Sequence, residues 1–220
     1  MSFFRNSRRN TAMPSTDNCN SRDTNIVSGI GFMGFDCPGC NHGRHRENNE
    51  FLIPYSSGEQ IILITPSGTE NGQASAIGFG STFNSLTITS SGQIITGQQN
   101  IAFLLPEKSI LSDLNIYFTN TNPLSTSVTT QVIKAQVYIS TTPDNTFTPL
   151  NDAVVTLQPQ IIGSIIAGTS FLGQRNNLKI KLNENTRIML VFSLNYVSGD
   201  NISLTVLGYS SAGMTLKDRC

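Results

Sequence analysis

The residues with the clearest potential for chemistry are two cysteines and two histidines near the N-terminus. Cys37 and Cys40 are separated by Pro-Gly, and His42 and His45 follow them. Thiolates and imidazoles are the usual ligands of structural zinc sites. All four residues lie within nine positions, whereas finger-type sites separate their two ligand pairs by about a dozen residues. A single loop of this length can hardly wrap a tetrahedral ion, so the spacing does not favour a zinc site, and we predict no bound metal.

The Cys-x-x-Cys spacing also occurs in thiol–disulfide redox motifs. Such a motif needs its first cysteine, here Cys37, at the N-terminus of a helix, because the helix lowers the thiol pKa. The next residues, Asn41 to Arg44 (Asn-His-Gly-Arg), do not predict that helix. The sequence therefore does not favour a redox role, and structural crosslinking is the remaining interpretation.

The four cysteines lie at the two ends of the chain. Cys19, Cys37 and Cys40 fall within the first 50 residues, and Cys220 is the last residue. Reactive thiols at both ends, with none between them, suit the joining of subunits. We hypothesise that the N-terminal cysteines form disulfides with neighbouring subunits, in part through Cys220. Free thiols, or thiols paired within one flexible tail, are the alternative.

The rest of the chain offers no catalytic arrangement. Both histidines lie before residue 50, so the remainder has neither a Ser-His-Asp triad nor the histidine ligands of a cupin-like barrel. The carboxylate pairs Asp144 with Asp152 and Glu59 with Glu70 lie in turn-rich segments, where acidic residues usually shape the backbone. The sequence therefore predicts a protein that is not an enzyme and needs no cofactor.

Composition narrows the classes of partner. The chain has 220 residues, with 14 basic and 14 acidic side chains. This balance creates no field to attract nucleic acid or an acidic membrane. Charged residues make up 13% of the chain, about half of the roughly 25% typical of soluble domains. Such a weakly charged surface favours association.

Neither a membrane span nor a secretory signal is predicted. The longest apolar runs, such as Ile61–Ile64 and Ile101–Leu105, are far shorter than the roughly 20 residues that cross a bilayer. Basic residues near the N-terminus are followed by Thr-Ala-Met-Pro-Ser-Thr in place of an apolar stretch. We therefore expect that no cleaved signal peptide exports the chain.

Residues 1 to 50 differ from the rest and predict an extended arm in place of a domain. They show no sustained period of 2 or 3.6 residues. Within them, Asn25–Phe35 alternates glycines with apolar residues, namely Ile26, Val27, Ile30, Phe32, Met33 and Phe35. This segment is too apolar for a solvated linker and too short to bury itself. We expect it to pack against a neighbouring subunit, for example by adding a strand to a sheet edge; a flexible tail is the alternative.

Residues 51 to 220 predict one all-β domain. Short segments of β pattern are separated by turn residues, and no stretch predicts an amphipathic helix. This pattern is typical of a sandwich or barrel. The predicted strands are Phe51–Pro54, Gln60–Thr65, Ala74–Phe79, Ser85–Thr89, Ile101–Leu105, Ser109–Thr119, Ser127–Ser140, Ala153–Gln158, Ile161–Ile166, Leu178–Leu182, Arg187–Asn195 and Ile202–Tyr209.

Two features of these strands need explanation. The strand at Arg187–Asn195 is apolar on both faces, with Met189 and Val191 opposite the row that begins at Ile188. A strand buried on both sides of a two-sheet sandwich needs a cover on its outer face, and packing against other subunits is one solution. Strand aromatics at Tyr117, Tyr138, Phe192 and Tyr209 suit core or interface packing better than a carbohydrate platform, because they occupy alternating positions.

Several segments together resemble a known family. They are Ile77–Gly80, Ala135–Pro149, Ala153–Leu157, Thr186–Ser193 and Gly208–Gly213. Their sequences resemble the C-terminal domain of the BclB-type exosporium glycoproteins of endospore-forming bacteria, over about residues 60 to 216. The resemblance implies an antiparallel jelly-roll sandwich of the tumour-necrosis-factor and C1q type, which assembles as a homotrimer.

Two features of that family are missing. The sequence contains neither a collagen-like Gly-X-Y tract nor the proline-rich leader of many such glycoproteins. The resemblance therefore implies a compact, self-assembling subunit of the exosporium layer or of an appendage fibre, with itself and other exosporium proteins as partners. Such a protein is made in the mother cell, which needs no signal peptide. The alternative is a trimeric head that binds a glycan or a host receptor.

Overall fold

Fourteen β-strands and no helix make up the part of the chain that the computed structural model describes, residues 49–67, 72–97, 100–200 and 202–218. These residues belong to one unit, His45–Cys220. The strands are β1 (Glu50–Ser56), β2 (Ile61–Thr65), β3 (Gln73–Ile77), β4 (Thr82–Thr87), β5 (Ile94–Ile95), β6 (Phe103–Leu104), β7 (Ser109–Asn120), β8 (Leu124–Ser140), β9 (Thr146–Thr156), β10 (Ile161–Ile165), β11 (Ser170–Arg175), β12 (Ile180–Leu182), β13 (Arg187–Ser198) and β14 (Leu204–Asp218).

The strands form two antiparallel layers. Sheet I has the order β2-β14-β7-β11, and sheet II has the order β3-β13-β8-β9. The shorter strands continue these rows: β1 and β12 beside β14 and β7 in sheet I, and β6 and β10 beside β13 and β8 in sheet II. The pair of Ile64 with Gln73 joins β2 to β3, and isolated bridges of Ser56 with Phe79 and of Gln158 with Leu172 link the layers elsewhere.

The pairing order is that of a jelly roll. In chain order, β2 pairs with β14, β3 with β13, β7 with β11 and β8 with β9, so that the chain winds up as a ribbon of paired strands. The predicted all-β antiparallel jelly roll is therefore confirmed. The predicted strand list lacked β5 and β11, and the strand predicted at Ile101–Leu105 is reduced to Phe103–Leu104. The N-terminal arm lies outside the described residues.

The core fills the space between the two sheets. Alternate side chains of β13 (Ile188, Leu190, Phe192) and of β7 (Ile116, Phe118) are buried there, as their period of 2 predicts. The ring of Phe118 also contacts Phe171 of β11, with ring centroids 5.9 Å apart. Because both sheets contribute side chains to one cluster, the sandwich needs no disulfide to bury its apolar surface.

The opposite face of β13 is also buried, and its cover comes from the same chain. Met189 and Val191 are fully buried in a second cluster outside sheet II. The side chains that share this cluster come from β3, β4, β5, β8 and β9, namely Ala74, Ala76, Leu86, Ile94, Tyr138 and Phe147. The expectation that other subunits cover this face is therefore wrong. The segment between β3 and β6 folds over β13 instead.

Arg187, the first residue of β13, holds the turn between β8 and β9. Its guanidinium donates hydrogen bonds to Ser140 Oγ (2.9 Å), to the carbonyl oxygen of Thr142 (2.9 Å) and to Asn145 Oδ1 (3.2 Å). It also lies over the ring of Phe147, 5.1 Å from the centroid. One planar cation thus joins the end of β8, at Ser140, and the turn residues Thr142 and Asn145 to the start of β13.

The carboxylate of Asp144 stabilises the same turn from within. It accepts hydrogen bonds from the hydroxyl of Thr142 and from the backbone N–H of Thr146. The hydrogen bond from Thr142 is the largest cause that lowers the pKa of Asp144 below its ordinary value. The Thr-Pro-Asp-Asn-Thr sequence that contributes to the family resemblance therefore has a structural role in this turn.

Replacement of Arg187 tests the role of this turn. We expect Arg187→Met to lower the free energy of unfolding by about 2 kcal/mol, because the turn loses several charge-assisted hydrogen bonds. Arg175→Met is the matched control, since Arg175 is exposed and donates to one carbonyl, that of Val154. Urea unfolding of both variants measures the difference. Equal losses in the two variants would contradict the assignment.

The second cluster also predicts a pH dependence. Burial raises the pKa of Tyr138 from 10.0 to about 12. Because the folded state favours the neutral phenol, the contribution of Tyr138 to stability is complete below pH 10 and is lost as the pH rises towards 12. We expect Tyr138→Phe to remove up to about 3 kcal/mol of this alkaline destabilisation. Urea unfolding at pH 8 to 12 checks it, and unchanged slopes would refute the claim.

Candidate assembly face

The predicted chemical and assembly residues fall largely outside the described part of the chain. This holds for all of the cysteines, for both histidines and for the apolar residues of the arm: Cys19, Ile26, Val27, Ile30, Phe32, Met33, Phe35, Cys37, Cys40, His42, His45 and Cys220. Their predicted roles stay predictions. Among residues 49–67, 72–97, 100–200 and 202–218, no group of three or more His, Cys, Asp or Glu side chains could hold a metal ion.

The described surface that stands out is the outer face of sheet I. Along β1, β14, β7 and β11, every second side chain points away from the core. Four large apolar or aromatic side chains on this face remain exposed: Leu52 by 62%, Leu172 by 56%, Tyr209 by 48% and Tyr117 by 41%. We refer to this surface as the sheet I face. Exposed apolar side chains on one face mark a site of interaction more often than a scattered set does.

The strand register places these residues side by side. Leu172 of β11 lies opposite Tyr117 of β7, and Tyr117 lies opposite Ser211 of β14. The next row along the strands pairs Asn115 with Gly213. Large side chains therefore stand beside small ones, and the difference in height opens a groove across three strands.

The groove has a volume of about 500 Å³. It is lined by Asn115–Tyr117, Leu172–Gln174 and Ser211–Gly213, none of which is charged. A smaller hollow of about 250 Å³ adjoins it and shares Tyr117 and Ser211. The groove therefore combines apolar walls with neutral amide and hydroxyl groups, which suits a neutral, apolar occupant.

Gly213 keeps the middle of the groove open. A Cβ built at this position meets one neighbour closer than 3.4 Å, the end of the Leu52 side chain at 3.2 Å. Gly208, five residues earlier on the same strand, has the opposite surroundings. A Cβ there lies 2.3 Å from both the Phe118 ring and the Thr119 carbonyl oxygen. Gly208 is thus required by the core, whereas Gly213 leaves space on the surface.

A chain of hydroxyl groups fixes the Tyr117 ring. The phenol oxygen lies 2.9 Å from Ser170 Oγ and accepts a hydrogen bond of 2.7 Å from Thr119 Oγ1. The contact with Ser170, followed by that with Thr119, lowers the pKa of the phenol. An aromatic wall held by two hydroxyls loses little side-chain freedom when a partner covers it.

Charged groups lie at one end of the sheet I face. Lys217 Nζ and Glu50 Oε1 form an ion pair of 2.7 Å, and this contact is the main cause that raises the pKa of Lys217. Asp113 lies near Lys217, and its pKa is lowered chiefly by a hydrogen bond from Ser112. An exposed pair of this kind contributes little to stability, because solvent screens it. It marks the boundary of the neutral region.

The two ends of the described unit meet at the same charged end. The backbone N–H of Asp218 donates to the carbonyl oxygen of Asn49, at 3.1 Å. Asn49 leads into β1 and Asp218 ends β14, so the chain enters and leaves sheet I on adjacent strands.

Several strand edges are poorly suited to strand addition. Pro54 lies within β1 and Pro149 within β9, and a proline has no N–H to donate. The pairing of β10 is interrupted next to Gly163, which has a positive φ of 65°. Bulges and prolines are devices that prevent edge pairing. The expected strand addition by the arm stays a prediction, and these edges do not favour it.

The predicted aromatic set divides between surface and core. Tyr117 and Tyr209 lie on the sheet I face, whereas Tyr138 and Phe192 are buried. Sequence reasoning missed Leu172 because it missed β11. The signal was available in part, since Phe171 and Leu172 follow the turn at Gly168, but an exposed leucine cannot be told from a buried one by type alone.

Comparisons with known proteins do not identify the chain. No family model and no curated protein matches it. Solved structures that match include chains of the infectious bursal disease virus Gx strain (11% identity, TM-score 0.36) and Gt strain (12% identity, TM-score 0.36). The match covers 86% and 89% of this chain but 37% and 40% of those chains. At these scores the similarity says nothing about function. No described helix could cross a membrane.

The two glycines of β14 give a direct test of the groove. We expect Gly213→Ala to change the free energy of unfolding by less than about 0.5 kcal/mol, because its methyl group meets only the exposed end of the Leu52 side chain, which can move aside. Gly208→Ala should cost about 2 kcal/mol or more, because its methyl group overlaps a ring and a carbonyl. Thermal and urea unfolding of both variants measure the contrast. A large loss of stability in Gly213→Ala would contradict the prediction, because it would mean that other atoms already fill the groove at this position.

Proposed function

We propose that this protein is a structural, self-assembling subunit of the bacterial endospore surface, in an exosporium layer or an appendage fibre. The jelly-roll domain forms homotrimers, and the N-terminal arm and interchain disulfides link neighbouring subunits. The resemblance to exosporium head domains supports the location and the trimer. The sheet I face supports the self-assembly, and it is the observation that carries the proposal.

The exposed apolar side chains of the sheet I face are unfavourable in water. Leu52, Leu172, Tyr117 and Tyr209 all hold large apolar areas in solvent. Burial of one such side chain contributes about 2 kcal/mol. The lining of the groove carries no charge, so covering it requires no charged group to lose its water. A subunit with this face is stabilised by association.

The positions of the chain ends support the proposed crosslinks. Asn49 and Asp218 are hydrogen-bonded neighbours. Cys220 follows Asp218 by two residues, and Cys40 precedes Asn49 by nine. Both cysteine-bearing segments therefore continue from one place, at the end of sheet I. Crosslinks formed there leave the groove free.

A trimeric binding head is the second candidate. Tyr117 lines the groove together with the amides of Asn115 and Gln174, and Tyr209 lines the adjoining hollow. An aromatic ring beside amides suits a neutral sugar. In that case a glycan array binds the full chain, Tyr117→Ala abolishes the signal, and the protein stays as discrete trimers under all conditions. Self-assembly predicts the reverse, extended particles without glycan.

The proposal is tested by electron microscopy and light scattering of the purified chain. We expect extended particles, which survive denaturing gels without reductant and fall apart with it. Leu172→Lys should reduce extended particles at least about tenfold, because a charge must then be buried at the contact. Val128→Lys is the control, since Val128 is exposed by 67% against 56% for Leu172 but lies outside the sheet I face. Discrete particles only, in oxidising and in reducing buffer, would refute self-assembly.

A further inference from the structure

We infer that the groove of the sheet I face is the docking site for the apolar arm segment, residues 25 to 35, of a neighbouring copy. The inference rests on the proposed function, and it assigns to the arm a defined surface. Three properties of the groove and the chain support it: chemistry, shape and reach.

The chemistry of the two surfaces matches. Residues 25 to 35 contain no charged side chain, and six of the eleven residues are apolar: Ile26, Val27, Ile30, Phe32, Met33 and Phe35. The groove lining is equally free of charge and offers neutral donors and acceptors at Asn115, Gln174 and Ser211. Those groups can satisfy the backbone of an extended segment, while the walls cover its side chains.

The shape of the groove also fits a glycine-rich chain. Its volume of about 500 Å³ is open to solvent along one side, so that it can receive several side chains of the segment while the backbone lies along the sheet. Ser211 and Gly213 leave a shallow floor between Tyr117 and Leu52. Gly29, Gly31 and Gly34 alternate with the large side chains of the segment. Glycines let a backbone approach a sheet closely, and the side chains between them occupy the deeper places.

The length of chain between the arm segment and β1 determines how far the segment can reach. Thirteen residues separate Phe35 from Asn49, and they span at most about 45 Å when extended. Asn49 leads into β1, which borders the same sheet face. The distance from β1 to β11 across the sheet is about 15 Å. The segment can therefore reach a groove on an adjacent subunit.

Substitutions can block the groove or the arm separately in the full chain. Gly213→Trp fills the groove, and its φ lies outside the left-handed region, so the larger residue causes no backbone strain. Phe32→Glu places a charge in the arm segment and leaves the groove intact. Thr156→Trp is the matched control, because Thr156 is an exposed position on β9 of sheet II.

Mixing the two variants distinguishes docking between copies from docking within one copy. We expect Gly213→Trp and Phe32→Glu each to form trimers that do not associate further. Mixed together, the intact arms of the first should enter the intact grooves of the second. Native mass spectrometry should then detect particles larger than a trimer that contain both variants. Absence of such mixed particles would overturn the inference, as would wild-type assembly by Gly213→Trp.

Two further results would also overturn it. Monomeric Gly213→Trp would identify the groove as the contact between β domains within the trimer. Loss of assembly in Thr156→Trp to the same extent would show that the groove has no special part. Circular dichroism and thermal unfolding of each variant confirm that the fold is retained before assembly is compared.

A peptide measurement tests the groove even if the wild-type chain does not form extended particles. A fluorescent peptide of residues 21 to 36 contains the arm segment and no cysteine. It should bind the Phe32→Glu protein, whose groove is free. It should bind at least about tenfold more weakly to the double variant that carries both Phe32→Glu and Gly213→Trp. Equal binding to both proteins would overturn the inference. Discrete wild-type particles with groove-dependent peptide binding would instead refute the proposed function and leave the docking site standing.

Discussion

The burial of both faces of β13 is the constraint on which the rest of the structure depends. Its inner row begins at Ile188 and faces sheet I, while Met189 and Val191 point the other way. A sandwich of two sheets leaves one side of every strand facing outwards. The chain resolves this by placing side chains of β4 and β5 against the outer side, which produces a second apolar cluster. The hydrophobic demand of β13 is met within one subunit.

This internal cover determines where assembly can occur. With sheet II covered at its centre, sheet I carries the broad neutral surface with the exposed residues Leu52, Tyr117, Leu172 and Tyr209. Those side chains belong to strands whose opposite sides build the main core, so they cannot turn inwards without a register slip of the whole strand. The proposed self-assembly uses these side chains, which the fold leaves exposed.

The strand edges and the sheet I face differ in how they are protected against association. Pro54, Pro149 and the irregularity at Gly163 limit pairing along strand edges. The neutral groove around Gly213 carries no comparable protection. Edge pairing is poorly specific because backbone groups are alike everywhere, whereas a groove selects side chains. An assembly guided by side chains can therefore proceed without uncontrolled sheet growth.

The sequence by itself determined the all-β class, the sandwich or barrel pattern and most strand positions, because side-chain alternation and turn residues are local signals. The jelly roll was implied by the resemblance to a known family, and alternation predicted the inner row of β13. What the sequence left open was decided by tertiary structure. The cover over Met189 and Val191, the strand β11 with Leu172, and the groove floor at Gly213 depend on which strands become neighbours. Pairing over long separations sets those contacts, and the type of a residue does not reveal them.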